Sequence, residues 1–277
     1  MMGEFAHRLR KNPLAVFGFV VLSILVLVAA FAPLIAPYGY SDQFLEHAFE
    51  PPNAKFLLGT DEFGRDILSR LIYGARVSLQ VGFVAVGLAL SVGGFLGAVA
   101  GYYGGFCDNA IMRCMDVLLG IPSTLLAIAI AASLGPGLVN LMISVGIAQI
   151  PFYARIVRGA VLSVRGQEFV EAARAMGSGD LRIIFRHIIP NSMAPIIVQT
   201  TLDVAYAILS AAGLSFIGLG VQPPFPEWGS MLSGGRQYIF EAPHMTLFPG
   251  ITIMLTILSL NFLGDGLRDA LDPKLRR

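Results

Sequence analysis

Three long stretches without a charged side chain, residues 13–40, 77–107 and 117–154, set the first limit on this fold. Each is longer than the ~20 apolar residues that a helix needs to cross the hydrocarbon core of a bilayer. Backbone polar groups in lipid must be satisfied within the protein, which leaves helices as the natural form for such runs. Of the 277 residues, 55% are hydrophobic and 13% are charged, against roughly 25% charged in a soluble domain. The chain is therefore expected to be an all-α integral membrane protein. A formal net charge of +1 supplies no basic face for nucleic acid. The opening MMGEFAHRLRKN is like the positive region of a signal peptide, but the apolar run after it exceeds the about 7–15 residues of a cleavable one. It is read as the start of a retained first span.

Helix 1 is expected over Leu14–Ala32, stopped by Pro33 and Pro37, with residues 33–76 forming an external loop rich in carboxylates. Helix 2 falls within Val77–Cys107. The run from Val117 to Ala154 is too long for one span. Gly135, Pro136 and Gly137 divide it into helix 3, Val117–Leu134, and helix 4, Leu138–Ala154. Helix 5 is placed at Ser192–Ala212 and helix 6 at Thr246–Leu263, so that residues 77–264 make a five-helix core flanked by short termini, 1–13 and 265–277. Six spans put both termini on one side. Fourteen of the nineteen lysines and arginines fall on that side, which the positive-inside rule makes cytoplasmic. Cys107 and Cys114 then sit at the cytoplasmic side, where a structural disulfide is not expected.

Within helix 2, Ala85, Ala89, Gly93, Gly97, Gly101 and Gly105 recur every four residues. Such a stripe lets another helix approach backbone to backbone, which is how spans associate in lipid. The other local anomaly is a charged island, Glu168–Pro190, EFVEAARAMGSGDLRIIFRHIIP. Phe169, Ala173 and Met176 form a narrow apolar stripe, with Glu171 and Arg174 on another face. Gly177 and Gly179 end this first short helix. Asp180 is placed to cap a second, carrying Leu181, Ile184 and Ile188 on one side, that yields near Pro190. Helix, glycine hinge, helix is a rigid knuckle suited to pressing on another protein.

In this island Glu171-Ala172-Ala173, Gly177 and Ile189-Pro190 resemble the EAA loop of membrane subunits of ATP-binding-cassette importers, with His187 and Ile189 departing from the usual pattern. The stretches Gly59–Leu79, Phe216–Leu232 and Gly264–Leu275 are similar to the C-type permease of dipeptide and oligopeptide importers, extending the resemblance over most of the chain. That resemblance implies a type I importer permease fold with six spans in the cytoplasmic (inner) membrane of a prokaryote. It also implies partners: a second permease subunit, two ATPase subunits that carry ATP and magnesium, and an extracytoplasmic binding protein. Residues 155–190 would then form the cytoplasmic coupling loop, with Glu171, Ala172, Ala173, Arg174, Gly177 and Asp180 contacting the ATPase. The 59–66 region would face the binding protein, through Asp61, Arg65 and Asp66 if these do more than cap a turn and pair Arg65 with Asp66.

No resident cofactor, metal or catalytic group is expected. A phosphate-binding loop needs a Gly-Lys pair, and the chain contains none. Leu232-Ser233-Gly234-Gly235-Arg236 nearly spells an ATPase signature but falls in an external loop. Gly177-Ser178-Gly179-Asp180 matches a string of intramembrane aspartyl proteases, whose chemistry needs two aspartates sharing a proton. The four histidines have no metal-ligand spacing. Asp203 is the one acidic residue inside a span and is a candidate for the transport pathway or for an interhelical bond with Gln149 or Asn261. A self-sufficient carrier coupled to protons or sodium through Asp203 is the rival reading. Visible inverted repeats, common in such carriers, are lacking.

Overall fold

The computed structural model describes residues 11–271. Among these residues no strand forms, and the single bridge joins Thr60 to Asp66. The principal helices are α1 (Pro13–Ala30), α2 (Ile67–Tyr103), α3 (Gly105–Leu119), α4 (Ser123–Leu134), α5 (Leu138–Arg165), α6 (Glu168–Ala175), α7 (Asp180–Phe216), α8 (Trp228–Gly235) and α9 (His244–Leu271). Five of these, α1, α2, α5, α7 and α9, are long and apolar enough to cross a bilayer. The pair α3 and α4 supplies a sixth, bent by 83°.

That bend corrects the expected continuous helix over Val117–Leu134. Gly120 N–H closes α3 on the carbonyl of Asp116, and Pro122, which has no N–H, cannot extend its ladder. A second difference lies at the start of α2, ten residues before the uncharged run begins. Asp66 caps it, accepting from Ser69 N–H at 2.8 Å and from its hydroxyl at 2.6 Å. Arg70 does not end the helix because its guanidinium is paired: it donates to the carbonyls of Tyr40 at 2.9 Å and Pro224 at 3.3 Å and stands 3.5 Å from Asp61. With 37 residues, α2 is about 55 Å long at 1.5 Å per residue.

A third difference concerns Pro190. The helix predicted to yield there continues instead, as one 37-residue helix from Asp180 to Phe216. A π turn over Ile183–Ile188, with Ile189 N–H donating to Ile184 O, widens the ladder just before the proline. The ring is accommodated where an α turn would clash.

The core is built on α2 and α5, with α7 packed across both and α4 against α5. A Cβ at Gly97 would stand 3.0 Å from Arg158 N, and one at Gly93 or Gly101 would stand 2.9 Å from Tyr153 Cβ or Val161 Cγ1. Ala85 and Ala89, further along the same stripe, are fully buried. The small-residue face thus meets the backbone of α5 as far as Gly101, whereas Gly105, expected on the same stripe, lies beyond the end of α2 with nothing within 4 Å of its Cβ position. On the outside, α1 crosses α9 at Gly18, with Phe17 edge-on to Phe262 at 6.3 Å.

Gly97→Leu forces backbone of α5 away and is expected to destabilise the subunit by about 1–3 kcal/mol or more. Gly87→Leu, at an exposed glycine of the same helix with nothing within 4 Å of its Cβ position, should be near neutral. Thermal unfolding in detergent measures both.

Candidate functional site

The island folds as a knuckle held at one end of α2. In α6, Val170 and Ala173 face inward and join Ile183, Ile184 and Ile188 of α7, Ala98 and Tyr102 of α2, and Val157, Val161 and Val164 of α5 in one apolar cluster. This changes the expected stripe. Ala173 lies inside, but Phe169 and Met176 point outward, because the helix of eight residues is oriented by the contact at 170 and 173. Ile184 and Ile188 face inward, whereas Leu181, expected on the same side, is exposed.

The closure of α6 depends on Gly177. Its φ is +79°, its N–H donates to Arg174 O at 3.0 Å, and Ser178 N–H donates to Ala173 O at 3.1 Å. These two bonds make a Schellman ending with glycine at the left-handed position. Nothing lies within 4 Å of where a Cβ would be, so the requirement is conformational. Gly179 takes the N-cap position of α7, so Asp180 does not cap; its carboxylate accepts from the Tyr102 hydroxyl at 2.6 Å. Arg174 lies 5.9 Å from the Tyr102 ring centroid. Glu171, Ala172 and Arg174 are exposed, and so are the apolar side chains of Phe169, Leu181, Phe185 and Met176, the last 79% exposed.

Neighbouring polar links at this end were not anticipated. Arg158 of α5 grips Asp108 of α3 with two bonds of 2.5 Å, Arg155 reaches Asp116 at 2.5 Å, and Arg165 donates to Gly101 O at 3.2 Å. The available signal was spacing: Asp108 and Asp116 lie two turns apart on α3, and the arginines one turn apart on α5.

At the opposite end of α2, Asp61, Arg65 and Asp66 are brought together but buried. Arg65 pairs with Asp61 at 2.6 Å and Glu62 at 3.2 Å, not with Asp66, which is committed to capping α2. Asp61 also accepts from the N–H groups of Phe63 and Arg65, closing a turn. A cleft of about 320 Å³ opens beside them, lined in part by Arg70, Gln222, Ser230 and Arg236. Glu227 caps α8 through Gly229 and Ser230 N–H, both at 2.9 Å, and burial pushes its carboxyl above the ordinary range. Trp228 donates from Nε1 to Leu71 O at 3.1 Å and from its backbone to Ser78 Oγ at 3.2 Å, locking α8 to α2.

Asp203, 7% exposed, accepts from Gln199 Nε2 at 2.9 Å, one turn earlier on its own helix. The expected interhelical partner, Gln149 or Asn261, is replaced by this local pair. Asp203 Oδ2, Tyr153 OH and Gln149 Nε2 are buried without a hydrogen-bond partner. Asp180 and Asp203 are 23 residues apart on one helix, about 35 Å, which excludes proton sharing between them.

The family model of binding-protein-dependent transport system inner membrane components matches residues 93–277, spanning α6, Gly177 and the start of α7. The chain belongs to this family. A second model, the N-terminal transmembrane domain of oligopeptide transport permease C, matches residues 1–52. Among curated relatives of this permease chain, the dipeptide transport system permease protein DppC of Alkalihalophilus pseudofirmus is 52% identical over 99% of the chain and 90% of its own length. The di/tripeptide transport system permease protein DppC of Pseudomonas aeruginosa is 49% identical over 99% and 92%. The glutathione transport system permease protein GsiD of Pectobacterium atrosepticum is 44% identical over 99% and 91%. Among solved structures, an inward-facing form of the MetNI methionine ABC transporter superposes with a TM-score of 0.58 at 18% identity, covering 73% of this chain and 96% of that one. That likeness shows a shared type I importer permease fold, with six spans if the bent pair counts as one.

Trp228→Phe deletes the Nε1 bond to Leu71 and leaves a buried carbonyl unpaired. A loss of about 1–3 kcal/mol in unfolding stability is expected, measured by thermal or denaturant unfolding in detergent.

Proposed function

We propose that this chain is the pathway-forming subunit of an ATP-driven importer of short peptides, which moves cargo across the cytoplasmic membrane by alternating access. Its partners in this reading are a second, homologous permease subunit, two ATPase subunits that bind and hydrolyse ATP, and an extracytoplasmic binding protein that delivers cargo. The observation that carries the proposal is the knuckle at residues 168–185: a glycine-closed helix and the start of α7, braced from behind, with Phe169, Met176, Leu181 and Phe185 exposed. Glu171, Ala172, Ala173, Arg174, Gly177 and Asp180 form or shape this ATPase-docking surface. Peptide cargo is supported by the dipeptide, di/tripeptide and glutathione permeases among the relatives.

The knuckle end is assigned to the cytoplasm, in agreement with Lys11, Arg113, Arg155, Arg158, Arg165, Arg174, Arg182, Arg186 and Arg268 on that side. Arg8, Arg10, Lys274, Arg276 and Arg277, counted with them, lie outside the described residues. Both termini are cytoplasmic in this reading. The 33–66 loop and α8 then face the binding protein, with Asp61, Arg65 and Asp66 shaping the loop from within, Phe63 exposed on it and Phe240 exposed between α8 and α9. ATP binding closes the ATPase dimer, the knuckle moves with it, and the spans reorient. The shift comes from ATP binding the closed state more tightly than the open one.

Gly177→Val tests the knuckle. A β-branched residue at positive φ is strained by roughly 1–2 kcal/mol, so the subunit should insert at normal abundance while uptake by the reconstituted importer is lost. Uptake at the wild-type rate would overturn the coupling role. Asp203 is assigned to the pathway in this reading as the acidic residue inside a span, its buried Oδ2 having no hydrogen-bond partner. Asp203→Asn should depress uptake of a dipeptide with a free amino terminus more than that of its N-acetylated form. Equal effects would remove Asp203 from the pathway. Ion-driven uptake by the purified subunit alone, without ATPase partners, would establish the rival carrier instead.

A further inference from the structure

We infer that Tyr102 is the positioning residue through which the coupling knuckle drives α2, and that α2 carries that movement as one rod to the opposite face. The inference rests on the coupling reading of residues 168–180 and extends it to a specific linkage. The knuckle touches the body of the protein chiefly through apolar side chains, Val170, Ala173, Ile183 and Ile184, whose contacts are non-directional and permit sliding. Its direct polar tie to α2 is different. Tyr102, 4% exposed, donates to the carboxylate of the exposed Asp180 at 2.6 Å across 78 residues of sequence, a short and directional bond. The same ring lies 5.9 Å from Arg174, so the end of α6 and the start of α7 meet on one side chain. One residue earlier, Gly101 O accepts from Arg165, which leads directly into α6.

A displacement delivered at Tyr102 cannot be absorbed nearby. Gly93, Gly97 and Gly101 hold this half of α2 against the backbone of α5, and α2 runs unbroken for 37 residues. Its far end is bonded to the other loop surface through Ser78 and Leu71 to Trp228, and through Arg70 to Pro224 and Tyr40. The surface that faces ATP hydrolysis and the surface that faces incoming cargo are thereby attached to the two ends of a single helix.

Tyr102→Phe removes the hydroxyl and keeps the ring, and the reconstituted importer reads its effect. Assembly and basal ATP hydrolysis should stay within about twofold of wild type. Uptake per ATP and stimulation by loaded binding protein should fall about fivefold or more, the range of ordinary coupling energies. Asp180→Ala should lower uptake per ATP similarly, and the double variant should be no worse than either single one, because both delete the same bond. Wild-type uptake per ATP in Tyr102→Phe overturns the linkage. If Gly177→Val abolishes uptake in the same preparation, the coupling reading stands without it; if both variants transport normally, that reading falls too. Should Tyr102→Phe fail to assemble, Asp180→Ala decides by the same criterion, with normal uptake per ATP overturning the inference.

Discussion

The contact of α2 with α5 is made nearly backbone to backbone, and the other helices are arranged around it. Lipid tails are as apolar as leucine, so two spans gain nothing by hiding apolar surface from each other. What holds them is dispersion between closely opposed atoms, and glycines at 93, 97 and 101 allow the approach. A helix held in this way over several turns resists bending. It can therefore extend beyond the hydrocarbon core at both ends and still act as one body.

Both extensions carry polar chemistry that lipid would not tolerate. At one, Asp66, Arg70, Ser78 and Trp228 stitch the helix to a large loop domain whose buried arginines are matched by carboxylates and carbonyls. At the other, Tyr102 and Gly101 receive bonds or give them to the knuckle and the helix leading into it. This placement is compatible with the division of labour proposed above, in which the permease subunit supplies connected surfaces and a pathway and partner chains carry the phosphate chemistry.

Much of this was readable in one dimension. The six-span, all-helical architecture follows from uncharged runs because lipid leaves few alternatives, and the small-residue stripe announced its own packing. Gly177 was identifiable because a helix that ends in the left-handed conformation selects glycine. The unread parts depend on distant partners. The stretch before Val77 was read as loop because the groups that compensate Arg70, Asp61 and the carbonyls of Tyr40 and Pro224, meet it only in the fold. Asp180 looked like a cap because Tyr102 is 78 residues away. Phe169 and Met176 were grouped with Ala173 in one stripe from periodicity alone, which locates an apolar face but not which of two apolar faces is covered. The Gly120–Pro122 break lay in plain view, but within an apolar run that argued for continuity.

The account stands on the knuckle and α2 moving together. In the assembled importer, with Cys107 and Cys114 replaced by serine, spin labels at Ser178 and Tyr103 report that relation, and labels at Ser178 and Leu125 report movement against α4. Pulsed electron–electron resonance with and without ATP should give an unchanged distance for the first pair and a shifted distance for the second. A shift between 178 and 103 comparable to that between 178 and 125 would mean that the knuckle slides over α2, and would contradict the account.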